Sequence, residues 1–173
     1  MKTLTIVRHA KSSWNDMSHG DKERPLNSRG KQDAPAMGRR IAAAGIRPSL
    51  IISSPAVRAW STARAVAREL TYPLEFLQRE NALYLAGVDD ILDVIAAQDN
   101  GFNNLMLFGH NPGLTEFANF LSPGVCNNLP TAGVVAVTID QDNWQLHTQP
   151  ATRLLLYDFP KSQSDDTRPQ EQP

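Results

Sequence analysis

The stretch Leu4-Thr5-Ile6-Val7-Arg8-His9-Ala10 decides the fold prediction, because it begins as a buried strand and ends in two basic side chains. Leu4, Ile6 and Val7 form a short apolar run, rich in β-branched residues, that is typical of a parallel strand covered on both faces. In open α/β sheets, ligands bind beyond the carboxyl ends of the strands. The Arg8-His9 pair therefore predicts a site at this edge of the sheet.

Two further apolar runs, residues 50–53 and 105–108, are also predicted as buried strands that lead into helices. Arg58 falls in the first turn of the helix that follows the second strand, and His110 comes directly after the third. Strands that alternate with helices predict an α/β fold. We expect a three-layer sandwich with a mostly parallel central sheet and helices on both faces, formed by one domain over residues 1–160.

The remaining elements follow from caps and periodicity. Asn27 or Ser28 is predicted to cap a helix that runs to residue 44, although Pro35 implies either a later start or a kink. Ser54 is predicted to cap a helix that reaches residue 70. Further predictions are helices at 88–97 and 114–121, strands at 74–77 and 153–157, a hairpin that pairs 133–139 with 144–148, a long functional loop at 11–24, and a disordered tail at 161–173.

Composition limits the classes of partner. The 173 residues carry 17 basic and 18 acidic side chains, a net charge of -1, which gives no basis for a nucleic-acid partner. No apolar run is long enough to span a bilayer, and Arg8 and His9 interrupt any secretory signal, so we expect a cytoplasmic protein. Cys126 is the single cysteine and is predicted to be a small structural residue. The four histidines show no His-x-x-x-His spacing, so no metal and no cofactor is expected, and His19 and His147 are interpreted as surface residues.

The predicted strand ends bring several cationic side chains to one face of the sheet. Arg8, His9, Arg58 and His110 would gather there, with Arg24 reaching in from the long loop. A phosphoryl dianion suits such a pocket, because guanidinium groups donate paired hydrogen bonds to phosphate oxygens and helix N-termini add backbone N–H groups. His9 could then attack phosphorus as a neutral imidazole, and the cations would take the place of a metal.

These residues stand in motifs that resemble the histidine phosphatase superfamily, specifically its SixA-like branch of phosphohistidine phosphatases. The motifs are Arg8-His9-Ala10, Arg24-Pro25-Leu26, Arg29-Gly30, the run 53–59 and Gly109-His110-Asn111-Pro112-Gly113. The resemblance implies a phosphoglycerate mutase-like sandwich in which His9 is phosphorylated and Arg8, Arg58 and His110 complete the catalytic phosphate pocket. It also makes Arg24 and Asn111 the candidate substrate-binding residues.

A general acid is not evident from the sequence. Glu80, Asp89 and Asp90 are the carboxylates available after the second helix; Asp89 and Asp90 fit a helix start, and Glu80 fits a surface charge. An alkoxide leaving group needs such an acid, whereas imidazole leaves more readily. The sequence therefore favours a metal-independent phosphatase that acts on phosphohistidine in proteins.

Two alternatives stay open. One is a phosphatase of small phosphate esters that uses Glu80 or Asp89 as its acid, and the other is a non-catalytic domain that binds phosphate or a phosphopeptide. The roles of Lys11, Ser12 and Ser13 are not determined by the sequence.

Overall fold

The computed structural model describes residues 1–15 and 20–162. Its strands are β1 (Lys2–Arg8), β2 (Leu50–Ser53), β3 (Gln78–Arg79), β4 (Asn104–Gly109), β5 (Val134–Ile139) and β6 (Thr152–Asp158). Its α-helices are α1 (Ser28–Ala43), α2 (Val57–Glu69), α3 (Val88–Ala96) and α4 (Gly113–Leu121). The strands form one six-stranded sheet in the order β3-β2-β4-β1-β5-β6. The pairs from β3 to β1 are parallel, and β5 and β6 are added antiparallel.

Helices cover both faces of this sheet. Because neighbouring residues of a strand point to opposite sides, each strand contributes side chains to two cores. Leu105 and Leu107 pack in a core with α3 and α4, whereas Met106 and Phe108 pack in a second core with α1 and α2. Strand β1 divides in the same way, with Leu4 and Ile6 on the first side. The predicted three-layer α/β sandwich with a mostly parallel sheet is confirmed.

Local signals explain how α1 begins and ends. The Asn27 side chain accepts a hydrogen bond from the Gly30 amide at 2.8 Å, which caps the helix at the predicted place. The helix includes Pro35, so it does not start later, as one of the two predicted readings had it. Gly45 follows the helix with a φ of 80°, a conformation that glycine adopts without strain and that stops the helix.

Three element predictions are wrong. Residues 74–77 do not form a strand: Leu74–Phe76 is a 3-10 turn, and the short strand β3 follows it. The hairpin partner of β5 is not 144–148, because Leu146–Thr148 forms a 3-10 turn and β6 pairs with β5 instead. Trp144 is fully buried there and packs in the core with α3 and α4 instead of forming part of a strand.

The third error concerns the start of α2. Ala56, not Ser54, is the residue before the first helical position, Val57. Ser54 is fully buried and directs its hydroxyl to His110 instead of capping the helix. Arg58 nevertheless lies in the first turn, as predicted.

Other sequence predictions concern the ends and the surface. The structure describes Lys161 and Ser162 of the predicted tail, and the Ser162 amide donates to the Phe159 carbonyl at 3.0 Å. The rest of the tail and His19 lie outside the described residues. His147 pairs with Asp93 at 3.0 Å on the surface. Among the described residues, no helix combines the length and the apolar character needed to cross a bilayer.

Candidate active site

A pocket of about 520 Å³ lies at the carboxyl end of β1 and β4, beside the start of α2. It is lined by all of the site residues predicted from the sequence, together with neighbours from the long loop and from two other loops: Arg8, His9, Lys11, Ser12, Trp14, Asp21, Arg24, Asn27, Arg58, Leu85, His110, Asn111 and Thr131. A larger cavity of about 590 Å³ lies at the other end of β2, near Tyr72 and Phe76, and holds none of the predicted residues.

Backbone hydrogen bonds hold the site residues to the sheet. The His9 amide donates to the Gly109 carbonyl at 3.1 Å, and the His9 carbonyl accepts from the Ala132 amide at 3.0 Å. The Ser54 amide donates to the Phe108 carbonyl at 3.0 Å. The ends of β1, β2 and β4 are therefore tied together, and the side chains that follow them are brought into one place.

The His9 ring has a defined tautomer. Its Nδ1 lies 2.8 Å from the Ala10 carbonyl oxygen, which can only accept, so Nδ1 carries the proton of the neutral ring and Nε2 keeps a lone pair. The residue is 8% exposed. Burial, followed by the charges of Arg58, Arg8 and Arg24, lowers the pKa of His9 to about 4, although the bond to Ala10 opposes this shift. His9 is therefore a neutral imidazole at pH 7.

His110 faces His9, with the two ring centroids 5.3 Å apart. The Nε2 atom of His110 lies 2.7 Å from the Ser54 hydroxyl oxygen, while its buried Nδ1 has no hydrogen-bond partner among the described residues. Burial, assisted by the neighbouring His9 and Arg58, lowers the pKa of His110 to about 3. Both imidazoles are thus held neutral at pH 7 by desolvation and by nearby cations.

Three arginines surround the imidazoles, and each is anchored through its terminal nitrogens. Arg8 donates from Nη1 to the Leu129 carbonyl at 2.9 Å. Arg24 donates from Nη1 to the Ser12 hydroxyl, and its guanidinium stacks 3.5 Å from the centre of the Trp14 ring. The buried Nε atoms of Arg8, Arg24 and Arg58 have no partner within the described part of the chain. An anion with several acceptor oxygens would complete this donor set.

Asp21 is the residue that sequence reasoning missed. Its main-chain oxygen accepts from Arg58 Nη1 at 2.6 Å, and its carboxylate lies 3.0 Å from Arg58 Nη2 and 3.3 Å from Arg24 Nη2. The Tyr84 hydroxyl also donates to this carboxylate. The hydrogen bond from Tyr84, followed by those from Arg58 and Arg24, lowers the pKa of Asp21 to about 2 against an opposing desolvation effect. Its position three residues before Arg24 is the one signal in the sequence.

Asn111 lines the pocket, but its amide is fully used within the protein. Its Nδ2 donates to Asn128 Oδ1 at 3.1 Å and to the Leu129 carbonyl at 3.0 Å. Its Oδ1 accepts from the amide of Thr115 at 3.2 Å and from the hydroxyl at 2.9 Å. The side chain therefore fixes the loop that also receives Arg8, and its contact with a substrate stays a prediction.

The candidate acids lie elsewhere. Glu80 accepts a hydrogen bond from the Ala82 amide at 3.1 Å and so caps a 3-10 turn. Asp89 and Asp90 are exposed in the first turn of α3, and Asp90 accepts from the Gly87 amide at 3.3 Å. Of the described residues that line the pocket, Asp21 alone carries a carboxylate.

Comparison with known proteins shows which family this chain resembles. The model of the histidine phosphatase superfamily, branch 1, matches residues 4–81. A SixA protein of Agrobacterium tumefaciens, assigned as a phosphohistidine phosphatase, superposes with a TM-score of 0.78 at 26% identity, over 92% of this chain and 98% of that one.

Two curated relatives match in sequence. An uncharacterized chloroplastic protein of Arabidopsis thaliana is 27% identical over 157 residues, which make up 83% of this chain and 69% of that protein. A 2,3-bisphosphoglycerate-dependent phosphoglycerate mutase of Brucella ovis is 33% identical over 84 residues, 47% of this chain and 41% of the mutase. The chain thus matches less than half the length of the mutase. The family match over residues 4–81, the likeness of the fold and the motifs around the pocket agree: the chain is similar to the histidine phosphatase superfamily and, within it, to the SixA-like phosphatases.

Proposed function

We propose that this chain is a metal-independent phosphatase that removes phosphate from phosphohistidine in proteins, through a covalent phosphohistidine formed on His9. The observation that carries the proposal is the state of the His9 ring. Its Nδ1 proton is held by the Ala10 carbonyl at 2.8 Å, so the lone pair of Nε2 is available in a pocket built for an anion. A neutral imidazole with a fixed tautomer is a competent nucleophile toward phosphorus.

The pocket supplies the charge that a phosphoryl group requires. Arg8, Arg24 and Arg58 keep buried Nε donors without a partner among the described residues, and Lys11 also lines the pocket. The backbone N–H groups at the start of α2 lie beside Arg58 and add a favourable dipole. These cations would bind the phosphoryl oxygens and stabilise the charge of the transition state without a metal ion.

Phosphoryl transfer then proceeds in two steps. In the first, the lone pair of His9 Nε2 forms a bond to phosphorus as the bond between phosphorus and the leaving nitrogen breaks, and the leaving imidazole keeps the electron pair. In the second, water attacks phosphorus, the bond to Nε2 breaks, and its electron pair returns to His9. The proton lost by water leaves with the phosphate product, so that His9 is regenerated in its starting state.

His110 is suited to assist both steps as a hydrogen-bond donor. If the Ser54 hydroxyl donates to Nε2 across the 2.7 Å contact, the ring proton resides on Nδ1. This nitrogen has no other partner among the described residues, so it can donate to a phosphoryl oxygen. Its ring lies 5.3 Å from that of His9, which is a spacing that accommodates a shared phosphoryl group.

The choice of a phosphohistidine substrate is supported by the place of the carboxylates. Glu80 caps a 3-10 turn and Asp89 stands on the exposed first turn of α3, and neither lines the pocket. Asp21 does line it, but a carboxyl with a pKa of about 2 is ionised at pH 7 and has no proton to give. An imidazole leaving group needs less help from an acid than an alkoxide does.

The test compares substrates in the presence of a chelator. The whole chain is incubated with EDTA and either a phosphohistidine peptide or an alkyl phosphate such as glycerol 3-phosphate, beside the His9→Ala variant and an exposed-histidine control, His147→Ala. We expect turnover in the wild type and the control and none in His9→Ala. Loss of activity with EDTA contradicts metal independence, and active His9→Ala contradicts the covalent mechanism. A Glu80→Gln variant that loses more than about 100-fold in ester hydrolysis would support the small-ester alternative, and no turnover of any substrate would support a binding domain.

A further inference from the structure

Asp21 has a place in the pocket that binding of phosphate alone does not explain, because a carboxylate repels a phosphoryl dianion. We infer that Asp21 determines the leaving-group preference of the site: its carboxylate accepts a hydrogen bond from the protonated ring of a phosphohistidine substrate. This inference rests on the proposed function and names the group that recognises the nitrogen side of the substrate.

The exposed fractions of the pocket residues show which of them lie deep in the pocket and which lie near its mouth. His9 and His110 form the floor, at 8% and 3% exposure. The side chain of Asp21 is 44% exposed, while that of Arg58, which it contacts at 3.0 Å, is 3% exposed. A nucleophile at the floor expels its leaving group toward the mouth. The Asp21 carboxylate therefore stands where a leaving group emerges.

The carboxylate is also fixed in position. Its Oδ2 receives both Arg58 Nη2 at 3.0 Å and the Tyr84 hydroxyl, whereas Oδ1 receives Arg24 Nη2 at 3.3 Å. Four lone-pair sites are available on a carboxylate, so Oδ1 retains room for a further donor. Tyr84 in turn packs edge-to-face on His110, with 5.5 Å between the ring centroids. The wall that holds Asp21 is thus continuous with the catalytic floor.

The protonation state decides what Asp21 can do. The Tyr84 hydrogen bond and the neighbouring guanidinium groups keep this carboxyl ionised, with a pKa of about 2. An ionised carboxylate cannot protonate an alkoxide, but it can accept from an N–H group and stabilise a cation. The second ring nitrogen of phosphohistidine supplies such an N–H group when the ring is protonated.

The proton balance shows why this contact accelerates cleavage of the N–P bond. A neutral phosphohistidine would have to expel an imidazolide anion, whereas a protonated one expels neutral imidazole. In the protonated form, His9 Nε2 bonds to phosphorus, the electron pair of the broken N–P bond goes to the leaving nitrogen, and the distal N–H stays on the ring. By stabilising the protonated ring, Asp21 would increase the fraction of substrate that reacts. Esters, which have no such N–H group, gain nothing from it.

The experiment measures kcat/KM of Asp21→Asn for a phosphohistidine peptide and for an alkyl phosphate ester such as glycerol 3-phosphate between pH 6 and 9. Glu23→Gln is the matched control, because Glu23 belongs to the same 3-10 turn and is absent from the described lining of the pocket. We expect Asp21→Asn to lose about 10-fold or more on the peptide, the usual effect of removing a charge-assisted hydrogen bond, and to change by less than about threefold on the ester. Glu23→Gln should stay near wild type on both.

Other outcomes overturn the inference. An equal loss on both substrates would mean that Asp21 only positions Arg58, and a larger loss on the ester would make it a general acid. A gain in kcat/KM on both substrates would mean that the Asp21 carboxylate competes with phosphate for the arginines. Retained ester turnover shows that the variant is folded. Wild-type protein that fails to cleave the peptide contradicts the proposed substrate itself, whereas wild-type and Asp21→Asn proteins that cleave it equally contradict only the role of Asp21.

Discussion

The two neutral histidines make the stability of the protein depend on pH, and this dependence can be calculated. His9 has a pKa of about 4 and His110 of about 3 in the folded protein, against 6.5 for an exposed imidazole. The unfolded chain therefore binds more protons than the folded one below pH 6.5, and acid favours unfolding. The stability linked to these groups is intact above pH 6.5 and is lost as the pH falls toward 4 and 3.

The size of the effect follows from the linkage relation. Between about pH 7.5 and pH 5.0, each histidine should lower the free energy of unfolding by about 2 kcal/mol. The His9→Gln variant removes one of the two groups while keeping a side chain that can donate to the Ala10 carbonyl. We expect its free energy of unfolding to fall by about 2 kcal/mol less than that of the wild type over this range. Asp21 contributes little over this range, because the pKa of its carboxyl lies below 5 in both states, at about 2 when folded and 3.8 when unfolded.

Urea unfolding, followed by tryptophan fluorescence or circular dichroism at the two pH values, measures this difference. His147→Gln is the control for the removal of an imidazole, because the His147 side chain is 43% exposed and pairs with Asp93 on the surface. An identical pH dependence in the wild type and in His9→Gln would refute the reasoning. It would show that His9 is not held neutral by its surroundings.

Two further predictions concern the walls of the site. Gly113→Ala should destabilise the protein by about 1–3 kcal/mol, because a Cβ at this position would lie 1.8 Å from the Ala86 carbonyl oxygen. Gly87→Ala, whose Cβ meets nothing within 4 Å, should stay within about 1 kcal/mol of wild type in the same thermal or urea unfolding experiment. Ser54→Ala should cost about 1 kcal/mol of stability by removing the 2.7 Å contact with His110. It should also lower kcat about 10-fold with little change in the affinity for inorganic phosphate, and an unchanged kcat would contradict the positioning of His110 by Ser54.

The architecture could be predicted from the sequence because its strongest signals are local. Buried parallel strands read as continuous apolar runs, and β1, β2 and β4 show them clearly. The helix start at Asn27 is a local interaction between a side chain and a backbone amide three residues later, so it also appears in the sequence.

Two of the three wrong predictions involve residues whose partners are distant in the chain. The third, at 74–77, is wrong because a local 3-10 turn forms there, in which the Phe76 amide donates to the Pro73 carbonyl at 3.0 Å. Ser54 stands in a local sequence typical of a helix cap, but its hydroxyl is in hydrogen-bond contact with His110, 56 residues further along the chain. Trp144 fits a strand by its β-propensity, yet its indole N–H donates to the Phe102 carbonyl at 2.9 Å from a buried position outside the sheet. Local patterns cannot show such competition, because tertiary contacts decide it.

The candidate site was predictable in its residues but not in its balance of charge. Arg8 ends its strand and Arg58 and His110 follow theirs, and the sheet topology brings these strand ends together. Asp21 and Tyr84 lie on turns far apart in the sequence. They meet because the Asp21 carboxylate accepts from both Arg58 and the Tyr84 hydroxyl. No periodicity marks either of them, so the carboxylate within a cationic pocket had to come from the structure.

The central claim is that phosphate passes through a covalent bond to His9, and rapid alkaline-quench trapping tests it most directly. Full-length protein is mixed with a phosphorus-32-labelled substrate, quenched under alkaline conditions that preserve phosphohistidine, and mapped by peptide mass spectrometry. The account predicts one phosphoryl group on His9 in the wild type and none in His9→Gln. Label on His110, label on another residue, or turnover without any label on the protein would contradict it.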